Sequence, residues 1–180
     1  MEAKKLFLRI ISIGAAIIII SGGYVINKAF TGNTKFEEEE VYVYVPTDSK
    51  YEDVKKILAP YIENQSKIDW VASKRDYDSN VKAGKFLLKK GMSSFSIVRA
   101  LRLNTPVKLA FNNQEKVQDL FVRIASQIEP DTTKLNEIFT NDTFLQENGL
   151  NKDNVMSFFI TNSYEFYLNI YPEEFAEKLK

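Results

Sequence analysis

The sequence predicts an α+β protein carried on an N-terminal membrane-spanning helix, with a small three-stranded module followed by a mainly helical segment. Three observations predict it. Ile10 to Ile26 (IISIGAAIIIISGGYVI) is a run of seventeen residues without a charge. Short β-branched or aromatic runs at Val41–Val45, Gly84–Lys89 and Val107–Phe111 are separated by stretches with helical spacing. From Gln114 onward helical spacing dominates. The order β-α-α-β-α-β, then helices, is that of an α+β module with helices appended.

The apolar run comes first. With Leu6, Phe7 and Leu8 it reaches the roughly 20 residues that cross a bilayer core as a helix. A signal peptide would have a shorter apolar region ending at a small-residue cleavage site. Ser21-Gly22-Gly23 is a weak version of such a site, and Tyr24, Val25 and Ile26 resume the apolar run behind it. A soluble core helix would show a polar face, and this segment has none. Lys4, Lys5 and Arg9 lie before the run, whereas Lys28 is the first charge after it and Glu37 to Glu40 follow. That asymmetry predicts a single-pass protein of the cytoplasmic (inner) membrane, with its N-terminus inside and its bulk on the extracytoplasmic side.

Composition narrows the chemistry. The 180 residues carry 24 basic and 24 acidic side chains, so there is no basic footprint for nucleic acid. Cysteine and histidine are both absent. Disulfides, thiolate nucleophiles, His-based triads and most transition-metal sites are thereby excluded. No metal or cofactor is expected. Any catalysis rests on carboxylates, lysine, tyrosine or the backbone.

Residues 1–28 form the cytoplasmic tip and the span, and 29–40 a solvated linker that holds the domain off the membrane. The first module covers 41–111. Its opening strand, VYVYV, is stopped by Pro46, and Ser49 with Glu52 forms a capping box for a helix carrying Tyr51, Val54, Ile57 and Leu58 on one side. Pro60 ends that helix. A second runs from Ser66 to Arg75, with Ile68 and Val71 inward and Trp70 beside them. After a polar stretch at Asp76–Asn80 comes the strand Gly84–Lys89, and Gly91 turns the chain. Ser93 or Ser94 caps a helix with Ile97, Val98, Leu101 and Leu103 on its apolar side; Pro106 breaks it, and Val107–Phe111 is the third strand.

Residues 112–180 follow. Asn112-Asn113 is a turn, and Gln114–Ile128 a helix burying Val117, Leu120, Phe121, Ile124 and Ile128. Pro130 punctuates, short helices at Thr132–Phe139 and Asp142–Glu147 come next, and Gly149 closes the second. Met156–Tyr167 is apolar and aromatic, and Pro172 opens a final helix. The chain stops inside that helix, so truncation of a longer protein is expected. The last helix and the Met156–Tyr167 aromatics would then lack packing partners and leave an apolar patch.

Four features in order give the chain a family resemblance. They are the single N-terminal span; Gly84-Lys85-Phe86-Leu87-Leu88-Lys89-Lys90-Gly91-Met92-Ser93 followed by Ile97-Val98-Arg99-Ala100-Leu101; the strand Val107–Phe111 leading into Gln114–Ile128; and Phe158-Phe159-Ile160-Thr161-Asn162-Ser163-Tyr164-Glu165-Phe166-Tyr167. Together they resemble the endolytic murein transglycosylase (MltG, YceG-like) family. The last stretch resembles its F-x-P-[DN]-T-Y-x-[FW] motif, with Thr161 in place of the proline and Ser163 in place of the threonine. After the strand, relatives often carry Glu-Gly where this chain has Asn112-Asn113-Gln114-Glu115.

The resemblance implies that 41–111 is a LysM-like module and that 112–180 is the opening of a catalytic domain. It implies a lyase that cleaves peptidoglycan glycan strands internally, leaves 1,6-anhydro-N-acetylmuramic acid ends and has cell-wall synthesis machinery as a partner. The family's catalytic glutamate stands on an S-I-[IV]-E-[KE]-E helix, which is expected beyond Lys180, so no residue here is assigned as catalytic. Asn162 and Tyr164 are the candidate substrate-binding residues. Glu165, among aromatics, reads mainly as an exposed residue of an alternating strand. Tyr51, Trp70 and Tyr77 could offer stacking faces to sugars, although Trp70 at helical spacing with Ile68 and Val71 fits a core position. The non-enzymatic alternative is a membrane-tethered peptidoglycan-binding or scaffold module. A receptor-type sensory domain fits the motif order less well.

Overall fold

A computed structural model describes residues 2–110, 116–159 and 163–179. Eight helices and four strands are described: α1 (Glu2–Phe30), β1 (Glu40–Val45), α2 (Tyr51–Leu58), α3 (Gln65–Lys74), β2 (Gly84–Lys89), α4 (Ser94–Ala100), β3 (Val107–Ala110), α5 (Val117–Ala125), α6 (Thr132–Phe139), α7 (Asp142–Glu147), β4 (Ser163–Phe166) and α8 (Pro172–Lys178). A 3-10 turn at Val155–Phe158 precedes β4. The chain divides into two compact units, one of residues 1–43, 50–81 and 87–103, the other of 44–49, 82–86 and 104–180.

Within α1, Arg9–Phe30 is long and apolar enough to cross a membrane, and its large apolar side chains are exposed while Ala29 is buried. The helix runs on past the expected end of the span. The stretch expected to be a solvated linker is partly packed: Asn33 is buried, and its amide donates to the Asn64 carbonyl (2.9 Å) and to Ser94 Oγ (3.0 Å). Asn33 Oδ1 accepts the Asn64 N–H at 2.8 Å. A buried amide with its donors and acceptor engaged repays its desolvation and fixes its neighbours.

The first unit's core collects Val43, Val54, Leu58, Ile62, Ile68, Val71, Tyr77, Leu88, Ile97, Val98 and Leu101. Helix starts follow side-chain chemistry. Asn64 accepts the Lys67 N–H to cap α3, and Ser93 accepts the Ser96 N–H to cap α4. The expected Ser49–Glu52 box is displaced by one residue: Ser49 Oγ donates to the Pro46 carbonyl, and Asp53 accepts the Lys50 N–H instead. That bond, then the Lys56 ammonium, holds the Asp53 carboxyl below its ordinary range. Leu103, expected on the apolar side of α4, is exposed, because the helix ends at Ala100.

The expected three-stranded sheet is not formed among the described residues. β1 pairs with β2, and β3 pairs instead with β4 in a second two-stranded sheet. The β3–β4 register is antiparallel, with Val107 opposite Phe166, Leu109 opposite Tyr164 and Ala110 opposite Ser163. The reason lies in the faces: Leu109 is buried and Val107 packs against the core of the second unit, where Phe166 is also buried. The period-2 alternation told which residues turn inward, not which core would receive them.

That second core joins α5, α6, α7, α8 and β4 around Phe139. Its ring lies 4.8 Å from Phe159, 5.2 Å from Phe144, 5.7 Å from Phe121, 5.9 Å from Phe175 and 6.0 Å from Phe158. Such edge and tilted pairs add about 0.5–1.5 kcal/mol each beyond area burial. The expected apolar patch is therefore absent at these rings: Phe159, Phe166 and Phe175 are all buried. Asp131 and Asn141 cap α6 and α7, Gly149 (φ +66°) follows α7, and Pro172 opens α8 as expected. The expected helix Gln114–Ile128 is described from Val117 to Ala125, and Gln114 lies outside the described residues. Phe139→Ala should destabilise this unit by about 3–5 kcal/mol, read as a lowered urea midpoint of the full chain in detergent.

Candidate functional site

The glycines of the second family-like stretch are used for backbone shape. Gly84 opens β2 at φ +139°, and a Cβ there would lie 2.4 Å from the Asn104 side-chain amide. Asn104 is itself held, accepting the Lys85 N–H at 2.9 Å and donating to Asn169 Oδ1 at 2.9 Å. Gly91, at φ +78°, makes the turn, and its N–H donates to Thr34 Oγ1 at 2.7 Å. Ser93 then caps α4. The glycine-to-serine spacing is thus a scaffold that joins β2, a tight turn and a helix start.

The third and fourth stretches meet as neighbours. β3 is the strand of one and β4 the strand of the other, although more than fifty residues separate them. Phe158 and Phe159 of the fourth stretch pack into the aromatic cluster around Phe139.

Of the two candidate substrate-binding residues, Asn162 lies outside the described residues. Tyr164 is half-buried on β4, packs against the core and stacks on Phe166 with ring centroids 5.9 Å apart. Glu165 is exposed and stands opposite Lys108 in the β3–β4 register. Opposite charges across a strand pair favour the sheet, which gives Glu165 a structural use.

The three aromatic side chains offered as sugar platforms are engaged elsewhere. Tyr77 is fully buried, with its ring edge-on to Tyr51 at 6.3 Å and the Arg102 guanidinium 5.7 Å from its centroid. Tyr51 is half-buried and its hydroxyl donates to Asp69 Oδ1 at 2.8 Å, an oxygen that Gln65 also bonds at 2.9 Å. Burial first, then the Asp69 bond and charge, push the Tyr51 phenol well above its ordinary range. Trp70 is half-buried, edge-on to Tyr24 at 6.2 Å.

Among the described residues no carboxylate is buried. The most constrained is Glu129, which sequence reasoning passed over. Its Oε1 accepts the Thr47 N–H at 2.9 Å and its Oε2 the Thr47 hydroxyl at 2.7 Å, while its own N–H donates to the Leu168 carbonyl. The nearby Tyr44 hydroxyl is buried without a hydrogen bond of normal geometry. That burial, then the Glu129 carboxylate, pushes its phenol up. With both oxygens committed, Glu129 acts as a clasp between 47 and 129.

An open cleft of about 340 Å³ lies among α6, α7 and α8. Its apolar floor includes Ile138, Phe144 and Ala176, and Glu137, Glu147, Glu173 and Glu177 rim it. Such a rim can accept hydrogen bonds from hydroxyl, amide or amine groups. None of the residues singled out from the sequence lines it. No cluster of carboxylates suited to a metal ion occurs among the described residues.

The sequence profile of the YceG-like family matches residues 43–180. A crystal structure of a YceG-like protein from Listeria monocytogenes is similar at 18% identity and a TM-score of 0.37, covering 79% of this chain and 54% of that one. The chain thus spans about half the length of that protein. No curated protein matches the chain.

The Tyr51–Asp69 pair predicts a pH dependence. The unfolded chain releases the phenol proton near its ordinary value of 10.0, while the folded chain still holds it. Stability from this pair is therefore full below about pH 10 and is lost as pH rises beyond it. Urea midpoints at about pH 9 and about pH 11 should fall more steeply for the native chain than for Tyr51→Phe.

Proposed function

Because the chain belongs to the YceG-like family, we propose that it is part of a membrane-anchored endolytic transglycosylase that acts on peptidoglycan glycan strands outside the cytoplasmic membrane. The observation that carries this reading is the family match, which takes in 43–180. In the proposed reaction the 6-hydroxyl of an N-acetylmuramic acid residue attacks its own anomeric carbon. The bond to the next sugar breaks, and a 1,6-anhydro end forms. One glutamic acid donates a proton to the leaving oxygen and then takes the proton of the 6-hydroxyl, so neither metal nor nucleophilic side chain is required. A glycosidase that uses water needs a second carboxylate; an internal hydroxyl does not. A chain without His or Cys is consistent with that economy of groups.

The residues described here take the supporting parts. In this reading α1 anchors, the first unit spaces and orients, and Tyr164 on β4, together with Asn162, is a proposed contact to the glycan strand. We assign the acid to the glutamate of the family's S-I-[IV]-E-[KE]-E helix, a motif that residues 1–180 do not contain.

The test is a digestion of purified murein sacculi. The protein with whatever its gene encodes after Lys180 should release muropeptides with 1,6-anhydro ends, identified by mass spectrometry, and residues 1–180 alone should release none. Reducing ends in place of anhydro ends would refute the lyase chemistry. Sacculus binding without any cleavage by the longer protein would favour the tethered binding module.

A further inference from the structure

The last turns of α1 do not stand clear of the first unit. Tyr24 meets Trp70 of α3 edge-on, with centroids 6.2 Å apart, and Phe30 meets Phe95 of α4 at 5.2 Å. Lys67 of α3 donates to Thr31 Oγ1 at 2.8 Å. All three contacts fall between Tyr24 and Thr31. A span that runs to about Ile26 leaves the hydrocarbon there, since roughly 20 helical residues cross it. Side chains of α3 and α4 that touch these turns therefore lie at headgroup depth.

Their chemistry suits that depth. On α3, Lys67, Trp70 and Lys74 fall on one stripe at i, i+3 and i+7, bordered by buried Val71 and away from buried Ile68 and Ala72. On α4, Phe95 and Arg99 fall on one stripe at i and i+4, and the Arg75 guanidinium lies 5.1 Å from the Phe95 ring centroid. Lys28 sits over Tyr24 at 5.9 Å. Among the described residues none of Lys28, Lys67, Lys74, Arg75 and Arg99 is in an ion pair. The only acid in α3 is Asp69, which is bonded to Tyr51 and Gln65, and α4 has none. Tryptophan and tyrosine favour the membrane–water interface, and clustered lysine and arginine there favour anionic lipid.

We propose that the Lys67–Trp70–Lys74 stripe of α3, with Phe95, Arg75 and Arg99 beside it, is a docking surface for anionic phospholipid headgroups of the membrane that α1 crosses. It rests on the anchored reading given above and adds to it a seat. The lipid surface fixes the first unit close to the bilayer, and the chain leaving α1 does not let it swing freely. The glycan strands within reach would then be those nearest the membrane.

Trp70 is the single tryptophan, so its fluorescence reports this surface alone. The full chain would be reconstituted into phosphatidylcholine vesicles with and without phosphatidylglycerol. Lipids brominated high on the acyl chain and aqueous acrylamide would serve as competing quenchers. The expected result is strong quenching by the bromolipid and weak quenching by acrylamide, both more marked with phosphatidylglycerol. Lys74→Glu with Arg99→Glu, two exposed positions, should reduce the anionic-lipid enhancement about twofold or more.

Alkaline carbonate washing separates the two readings. Protein that resists extraction but whose Trp70 is open to acrylamide and untouched by bromolipid overturns the lipid surface and leaves the anchor standing. Trp70 shielded from both quenchers in retained protein also overturns it, in favour of a second copy covering the patch. Protein removed by carbonate overturns the anchor, and the docking surface with it.

Discussion

The first unit depends on one buried amide. Asn33 accepts from and donates to the backbone of Asn64, donates to Ser94, and through its own backbone bonds Met92 and Glu63. Those partners lie just before α3 and at the start of α4. One side chain therefore fixes the end of α1 against two helices that are far apart in sequence. An apolar residue of similar size would leave the Asn64 carbonyl and N–H without these partners, and an aspartate would lose the donor that both Asn64 and Ser94 use. A polar group in a dry place specifies a single arrangement because each alternative leaves something unsatisfied.

The second unit depends on apolar shape. Phe139 stands among five other phenylalanine rings, and no polar network links them. Both units have apolar cores and side-chain hydrogen bonds, but the buried polar side chains Asn33 and Ser94 belong to the first, and the ring cluster around Phe139 belongs to the second.

Most single elements were legible in the sequence, because capping residues, proline and apolar spacing act over a few residues. Ser93 was legible as a cap, whereas Asn64, Asp131 and Asn141 were passed over, and the Ser49 box was displaced by one position because its hydroxyl turned to Pro46 instead. Long-range choices were not legible. Nothing in Val107–Phe111 distinguishes a third strand of the first sheet from the partner of Ser163–Phe166; the decision rests on Leu109 and Phe166 sharing a core. The clasp of Glu129 on Thr47 joins residues that no sequence spacing relates. The family motifs were legible as strings and became physical only in three dimensions, where Gly84 proved to make room for Asn104. Tyr77 shows the opposite case: an aromatic residue beside polar neighbours looks available for a ligand, yet it is a core residue.

The β3–β4 pairing has a consequence for the order of synthesis. Ala110 waits for Ser163 and Val107 for Phe166, so the first strand is made 53 to 59 residues before its partner. At ordinary elongation rates that is a delay of about 3–12 s. Throughout it Val107 and Leu109 lie on an unpaired edge, the kind of template that recruits foreign strands. Residues of α5, α6 and α7 share the core that buries Leu109 and are all made before β4, so they are the first part of the chain that can cover it.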